Sequence, residues 1–265
     1  MLPTFTVLGI QFYTFPFVIL LALIASVATL LFAPKYKQLY HAAILSLLPP
    51  ILIFAALGAR LCSAVTLMSA SDQSFWHNLL YGGAVFYGGV LGGAAGLLIV
   101  CIVRHYEFLV FSDLFVTLLP IGHAIGRLGC YLNGCCYGSH YDGIFAVDFM
   151  VNGIKTTVFP TWFFESGFCF ALFIYFQLVH KNNATGNRTA IYFISYSIYR
   201  FLIEFMRGDE IRGHWGALSS SQIISLFILL LGIYFLYVSL KDNCDNYLFY
   251  RERESNENRP ISSSV

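Results

Sequence analysis

Charged residues are scarce in this chain of 265 residues: they make up 11% of it, whereas hydrophobic residues make up 58%. Soluble domains carry about a quarter charged residues, so a chain with this composition cannot cover its surface with polar groups in water. The net charge of +1 gives no indication of a nucleic-acid partner. The composition therefore predicts a protein whose main solvent is the lipid bilayer.

Two further features are missing. The segment MLPTFTVLGIQFYTFPF contains no basic stretch and no small-residue cleavage site, so we expect no removable signal peptide. The seven cysteines do not have the spacing of a disulfide framework. Three of them, Cys62, Cys101 and Cys169, lie in or beside apolar runs, where a thiol behaves as a small hydrophobic group.

Long apolar runs are abundant, and a helix needs about 20 apolar residues to cross a bilayer. Such runs lie at residues 13–33, 42–60, 83–103, 107–126, 161–179, 189–206 and 220–240. The sequence predicts an all-α, polytopic membrane protein with seven transmembrane helices. Residues 1–240 would form a single transmembrane domain with a long outer loop at 127–160, followed by a disordered cytoplasmic tail at 241–265.

Basic residues indicate the orientation, because cytoplasmic loops carry an excess of Lys and Arg. If seven spans alternate, one side receives Lys35, Lys37, Arg104, Lys181, Arg188, Lys241, Arg251, Arg253 and Arg259. We therefore expect the N-terminus outside and the C-terminus in the cytoplasm.

The stretch from 113 to 138 changes from an apolar helix into a segment rich in glycine and cysteine. His123 and Arg127 are four residues apart and would share a helix face. Glycines then remove side chains from the backbone, which permits close approach to a ligand. Two interpretations fit this pattern: a pocket that offers Arg127 to an anion, or a helix end capped by glycines with a snorkelling arginine.

Polar residues also form a stripe on the sixth span. Tyr196, Arg200, Glu204 and Arg207 follow one another at spacings of four, four and three, which places them on one helix face. A charged residue inside a span costs about 2.5–3.5 kcal/mol on an insertion scale, so such residues face a bundle interior or a wet cavity. The stripe predicts either a functional site or a structural pair between Arg200 and Glu204.

Arg127 and Arg200 both fall toward the outer ends of their spans. Guanidinium groups are the preferred donors to a phosphate, and a phosphate in apolar surroundings at this depth indicates a phospholipid headgroup. Glu204, Glu165 and His123 could orient the arginines or move protons. Tyr87 could hydrogen-bond a lipid oxygen. These residues predict a membrane protein that binds an anionic phospholipid from the outer leaflet.

Cys130, Cys135 and Cys136 form a separate cluster in the sequence. On the outer side of the membrane a disulfide is possible. Packing, a polar lining of the pocket, and a catalytic thiol activated by Arg127 are further alternatives. A metal is the remaining alternative, but the spacing C-x4-C-C is a poor zinc pattern with no evident fourth ligand, and we expect no metal in the site.

Three segments in this order, GRLGCYLNGCCYG, FPTWFFES and YRFLIEFMRGD, resemble the motifs of the prolipoprotein diacylglyceryl transferases. The resemblance covers roughly residues 13–225. It implies a multi-pass enzyme of the bacterial inner membrane that needs no metal or organic cofactor. Its partners would be phosphatidylglycerol and the signal peptides of preprolipoproteins. The reaction would transfer the diacylglyceryl group of phosphatidylglycerol to the lipobox cysteine thiol and release glycerol phosphate.

The resemblance also implies roles for individual residues. Arg127 and Arg200 match the family's motif arginines and would stabilise the leaving phosphate as charge develops. The candidate catalytic residues are Arg127, Arg200, Glu204, Tyr87 and His123. The candidate substrate-binding residues are Gly88, Gly89, Cys130, Asn133, Gly138, Glu165, Tyr196 and Arg207.

The chain departs from the family pattern at several motif positions, among them Phe159, where the family usually has His before Pro160. Tyr87 stands where the family usually has His, Cys130 where it usually has Asn, and Cys135 where it usually has Glu. The substrate thiol, with a pKa near ~8.5, could ionise unaided while Tyr87 holds an oxygen. His123 could instead act as the base. Alternatively, the protein is a related transferase with another acceptor, or a non-catalytic phospholipid-binding membrane protein.

Overall fold

A computed structural model of the protein describes residues 4–7, 10–32, 38–68, 73–81, 86–151, 153–179, 184–208, 214–215 and 218–257. Helices make up most of this part of the chain. They are α1 (Thr14–Phe32), α2 (Gln38–Met68), α3 (Phe75–Tyr81), α4 (Phe86–Arg104), α5 (Phe108–Asn133), α6 (Thr161–Ile174), α7 (Asn187–Ile203) and α8 (Ser220–Glu257). A π-helical turn, Tyr175–Val179, follows α6, and a 3-10 turn, Glu204–Met206, follows α7.

Within the described ranges, four helical stretches are long and apolar enough to cross a membrane: Ser46–Val65, Phe108–Asn133, Thr161–Leu178 and Ser221–Lys241. Shorter apolar helices cover Thr14–Thr29 and Gly88–Arg104. The prediction of a mostly helical membrane protein is confirmed. The number of seven spans and the placement of the two termini stay predictions.

Helix α8 continues to Glu257, into the stretch for which the sequence predicts a disordered tail. An apolar span supplies the nucleus of this helix, and each further residue then adds one backbone hydrogen bond. The end of the last apolar run is therefore not the end of the helix. Residues 258–265 of the predicted tail lie outside the described residues.

The described residues also form three antiparallel hairpins. They pair β1 (Thr4–Val7) with β2 (Ile10–Tyr13), β3 (Val147–Val151) with β4 (Ile154–Val158), and β5 (His214–Trp215) with β6 (Leu218–Ser219). The alternation in 144–151 predicts a short strand there, which β3 confirms. In this hairpin Phe149 lies opposite Thr156, and its buried ring packs with Val158 and Trp162. The fold is therefore mostly, but not purely, α-helical.

The chain divides into two compact units, one made of Met1–Val27 with Asp113–Val265 and the other of Ala28–Ser112. In the second unit α2 packs closely on α4 through glycines. A Cβ atom at Gly88 would clash with the carbonyl oxygen of Gly58, and one at Gly92 with that of Phe54. Small residues of this kind let two helices approach closely in a membrane.

In the first unit, glycines of α5 receive side chains of α1. A Cβ atom at Gly129 would lie 2.8 Å from Cγ1 of Val18, and one at Gly122 would lie 2.9 Å from Oγ of Ser26. The residues after the glycines continue the helix, so these positions do not cap it. They permit the close packing of α1 against the helix that carries His123 and Arg127.

A buried carboxylate joins the beginning of α5 to the beginning of α7. Asp113 accepts hydrogen bonds from the backbone N–H groups of Gly186 at 2.8 Å and Thr189 at 2.7 Å, and from the Thr189 hydroxyl at 2.7 Å. The first N–H groups of a helix lack intrahelical partners, and the helix dipole favours a negative charge there. Asp113 therefore serves as a cap supplied by another helix.

We expect Asp113→Ala to lower the free energy of unfolding by on the order of 2–3 kcal/mol, because it leaves buried donors without their charged acceptor. Denaturant or thermal unfolding in detergent would measure the change. Asp148→Ala is the matched control, since that carboxylate is exposed. Equal stability of the two variants would contradict the capping role.

Candidate active site

The central group of the site is the carboxylate of Glu165 on α6, whose side chain is 1% exposed. Arg127 of α5 places Nη2 2.8 Å from its Oε1 atom. The hydroxyl of Tyr196 on α7 donates to the same oxygen at 2.9 Å. Three helices of the first unit thus contribute predicted site residues, two from α5 and one each from α6 and α7, to a single buried polar cluster. We call it the Glu165 cluster (His123, Arg127, Glu165 and Tyr196).

His123 completes the Glu165 cluster. Its Nε2 atom accepts a hydrogen bond from Nε of Arg127 at 3.3 Å and lies 3.6 Å from the Glu165 carboxylate. Its Nδ1 atom lies 3.4 Å from the Tyr192 hydroxyl. Because Nε2 is an acceptor, the ring proton of the neutral imidazole belongs on Nδ1. Proton abstraction by His123 would therefore require the hydrogen bond from Arg127 to open.

Arg200 and Glu204 form the ion pair that the sequence offers as one alternative. Nη2 of Arg200 lies 2.9 Å from Oε2 of Glu204, and both side chains are 4% exposed. Two serines extend the pair, one at the end of β6 and one in the first turn of α8. Ser221 accepts a hydrogen bond from Arg200 at 3.2 Å, and Ser219 donates one to Glu204 at 2.9 Å. The pair therefore links the end of α7 to the beginning of α8.

The Glu165 cluster and the Arg200–Glu204 ion pair form successive layers along α7. Tyr196, in the Glu165 cluster, precedes Arg200 by four residues and shares its helix face. Four residues of α-helix rise about 6 Å, which sets the spacing of the two layers. Arg127 and Arg200 are each held by a buried carboxylate, so the structure places both arginines in one polar region of the bundle interior.

The glycine- and cysteine-rich segment is joined to the end of α7 through the backbone. Gly138 forms an antiparallel bridge with Arg207, and the Ser139 N–H group donates to the Met206 carbonyl at 2.9 Å. A Cβ atom at Gly138 would clash with the Phe159 carbonyl oxygen, so only glycine fits there. Gly138 and Arg207, two predicted substrate-binding residues, therefore meet at one junction.

The three clustered cysteines converge in space. Cys130 lies in the last turn of α5, Cys135 and Cys136 follow in the next turn, and their sulfur atoms all lie within 4.8 Å of one another. All three are partly buried free thiols. Asn133 places its side-chain nitrogen 4.0 Å from the Cys135 sulfur. The sequence allowed two of these thiols to meet in a disulfide, but sequence reasoning missed the convergence of all three. The dipeptide Asn133-Gly134 is a turn signal that points to it.

The remaining predicted residues, Tyr87, Gly88 and Gly89, begin α4 in the second unit. The side chain of Tyr87 lies outside the part of the chain that the structure describes. Gly88 packs against the backbone of Gly58, whereas a Cβ atom at Gly89 would make an ordinary contact with Ala59. Packing therefore accounts for Gly88, and the predicted contact of these residues with substrate stays a prediction.

Charged residues of the segment between α5 and α6 form exposed pairs at the β3–β4 hairpin. Lys155 donates to Asp148 at 2.8 Å, and this hydrogen bond raises the pKa of the lysine. Asp142 accepts a hydrogen bond from Thr157 at 2.6 Å, which lowers the pKa of the carboxyl group, and its other oxygen lies 3.1 Å from Nε2 of His140. These groups contribute no buried charge to the site.

We expect Glu165→Ala to lower the free energy of unfolding by about 3–5 kcal/mol, because it leaves the Arg127 charge buried without its carboxylate. Arg127→Met combined with Glu165→Ala should recover part of this loss. A double-mutant cycle of unfolding in detergent measures the coupling. Strictly additive effects would contradict a buried ion pair.

Comparisons with known proteins identify the family of the chain. The family model of prolipoprotein diacylglyceryl transferase matches residues 3–238 of the chain. Phosphatidylglycerol–prolipoprotein diacylglyceryl transferase 2 of Clostridium perfringens is 34% identical over 240 residues, which cover 86% of this chain and 91% of the relative. The transferase of Clostridium tetani is 30% identical over 235 residues, covering 87% and 94%. The chain belongs to the prolipoprotein diacylglyceryl transferase family.

Proposed function

We propose that the protein transfers the diacylglyceryl group of phosphatidylglycerol to the lipobox cysteine thiol of preprolipoproteins and releases glycerol phosphate. The observation that carries this proposal is the pair of buried arginine–carboxylate layers, Arg127–Glu165 and Arg200–Glu204, in a chain of this family. Relatives named for this reaction match more than four fifths of the chain. Lipid phosphate, acceptor thiol and bilayer are thus the partners of the site.

The reaction breaks the bond between a glyceryl carbon and a phosphate oxygen, and the departing glycerol phosphate gains one negative charge. Guanidinium groups held in place before the reaction stabilise such a charge without reorganisation. Glu165 and His123 fix Arg127, while Glu204 and Ser221 fix Arg200. In the water-poor bundle interior these positive charges act more strongly than they would in water.

The acceptor thiol must also lose its proton, because the thiolate is the nucleophile. Only a few per cent of an ordinary thiol is ionised near pH 7. His123 is within the site, but Nε2 receives the hydrogen bond from Arg127. We therefore assign His123 to positioning Arg127, with proton removal left to another group.

The proposed location is the bacterial inner membrane, crossed seven times with the N-terminus outside and the C-terminus in the cytoplasm. The distribution of basic residues supports this orientation. It places the Glu165 cluster toward the outer leaflet, where a secreted preprolipoprotein and phosphatidylglycerol can meet. The resemblance to the family implies that the protein has no nucleic-acid partner and needs no organic cofactor.

Purified protein incubated with phosphatidylglycerol and a lipobox peptide should add a diacylglyceryl mass to the peptide and release an equal amount of glycerol phosphate. Arg127→Gln and Arg200→Gln should each reduce the rate by about 100-fold or more, because each removes a charge that stabilises the leaving group. Arg104→Gln is the control, since that arginine is exposed in the last turn of α4. Mass spectrometry measures both products.

Two results would overturn the proposal. Glycerol phosphate without a modified peptide would indicate another acceptor, or hydrolysis. Neither product from protein with a cooperative unfolding transition would indicate a phospholipid-binding protein without this activity.

A further inference from the structure

The convergence of Cys130, Cys135 and Cys136 has the dimensions of a metal site. A zinc–thiolate bond is about 2.3 Å long, so sulfur ligands around one ion lie about 3.8–4.0 Å apart. The three sulfur atoms already lie within 4.8 Å of one another. Small side-chain rotations bring them to the separation that one ion requires.

The backbone holds the three thiols in this arrangement. The Cys135 N–H group donates to the Cys130 carbonyl at 3.0 Å. Trp162 and Thr161 of α6 donate to the carbonyls of Cys135 and Cys136 at 2.6 and 2.9 Å. Cys136 has a φ of 62°, a left-handed conformation that is unfavourable for a residue with a side chain. Strained backbone of this kind persists where the surroundings impose it, and it clusters at functional sites.

The thiols lie next to the Glu165 cluster. Cys130 follows Arg127 by three residues on α5, so the two share a helix face. Trp162, which donates to the Cys135 carbonyl, precedes Glu165 by three residues on α6. Three residues of helix rise about 4.5 Å, so one turn separates the thiols from the buried ion pair on both helices.

We propose that Cys130, Cys135 and Cys136 bind one zinc-class divalent ion as thiolates, and that its fourth coordination position receives the acceptor thiol. This inference rests on the proposed function. Three protein ligands with one open position are the arrangement of catalytic zinc sites. The three cysteines are only partly buried, which is compatible with an open fourth position. Coordination to a divalent cation deprotonates a thiol, which is the step that His123 is not positioned to perform.

The chemical step balances without a further reactant. The acceptor thiol binds the ion and gives its proton to water. The sulfur electron pair then attacks the glyceryl carbon and forms the C–S bond. The C–O bond to the phosphate breaks, and its electron pair leaves with glycerol phosphate beside Arg127. The ion keeps its charge throughout, so neither an oxidant nor a reductant is needed.

A disulfide fits the same geometry less well. Its sulfur atoms must come to about 2.05 Å, and one of the three thiols would remain outside the bond. The ion, in contrast, uses all three sulfur atoms at separations close to those present. A disulfide is nevertheless an outcome that the experiment detects.

The first test measures binding directly. Reduced, chelator-treated full-length protein in detergent is titrated with Co²⁺ or Cd²⁺, and the thiolate-to-metal absorption band is recorded. We expect saturation at one equivalent and loss of the band in Cys130→Ser, Cys135→Ser and Cys136→Ser. Cys101→Ser is the matched control, because this buried thiol of α4 belongs to the other unit.

The second test asks whether the ion receives the acceptor. A lipobox peptide should change the absorption band of the metal-loaded protein, whereas the same peptide with serine in place of cysteine should not. Removal of the ion should slow transfer near pH 7 by about 100-fold, which is the effect expected when an enzyme loses a general acid–base group. Added zinc should restore the rate of transfer. Arg127→Gln should keep the band and its response to the peptide while losing transfer.

Several results would overturn the proposal. The reduced protein could bind no stoichiometric ion, or the cluster could be stable as a disulfide. The absorption band could fail to respond to the cysteine peptide, or the metal-free protein could carry out transfer at the full rate. A cysteine-specific response without any product would support the metal site and contradict the proposed function instead. The two inferences can therefore fail separately.

Discussion

The site depends on keeping the carboxylate of Glu165 charged inside an apolar bundle. Removing a carboxylate from water costs several kcal/mol, which only close and well-oriented partners can offset. Here the partners are Arg127 at 2.8 Å and the Tyr196 hydroxyl at 2.9 Å, from helices on either side in the sequence. Because these hydrogen bonds are short-ranged, they fix α5, α6 and α7 relative to one another. Because the buried charge of Glu165 is stable only when these partners are in place, it constrains the geometry of the site.

Helix α7 is held in this way along its whole length. Asp113 caps its beginning, Tyr196 binds Glu165 near its middle, and Glu204 binds Ser219 just beyond its end. In a bilayer, apolar side chains contact lipid as favourably as they contact another helix, so apolar packing alone does not define a unique arrangement. Buried polar contacts do define one. They explain how a helix with so many polar residues is held in the helical bundle.

The sequence predicts those features that depend on local spacing. Arg200 and Glu204 are four residues apart, and their pairing follows from helix geometry alone. The contacts of Glu165 with Tyr196, and of Asp113 with Thr189, join residues 31 and 76 positions apart, and no spacing rule reaches that far. The all-α prediction also overlooked the β1–β2 and β5–β6 hairpins, since strands of two to four residues leave no periodic pattern. The cysteines were judged by their spacing in the sequence alone. Their convergence depends on the turn after α5, in which Cys136 has a left-handed backbone conformation.

Electrostatics also decides which kind of group can remove a proton beside Arg127. A histidine that accepts a proton there becomes a cation next to a guanidinium group, and low polarity increases their repulsion. Three thiolates on a divalent ion leave one net negative charge, and an acceptor thiolate adds a second. Arg127 attracts that charge, and the backbone of Arg207 lies against Gly138, two residues after Cys136. The positive charge of Arg127, which stabilises the leaving phosphate, therefore disfavours a histidine base at this place. The same charge favours a thiolate-bound ion there.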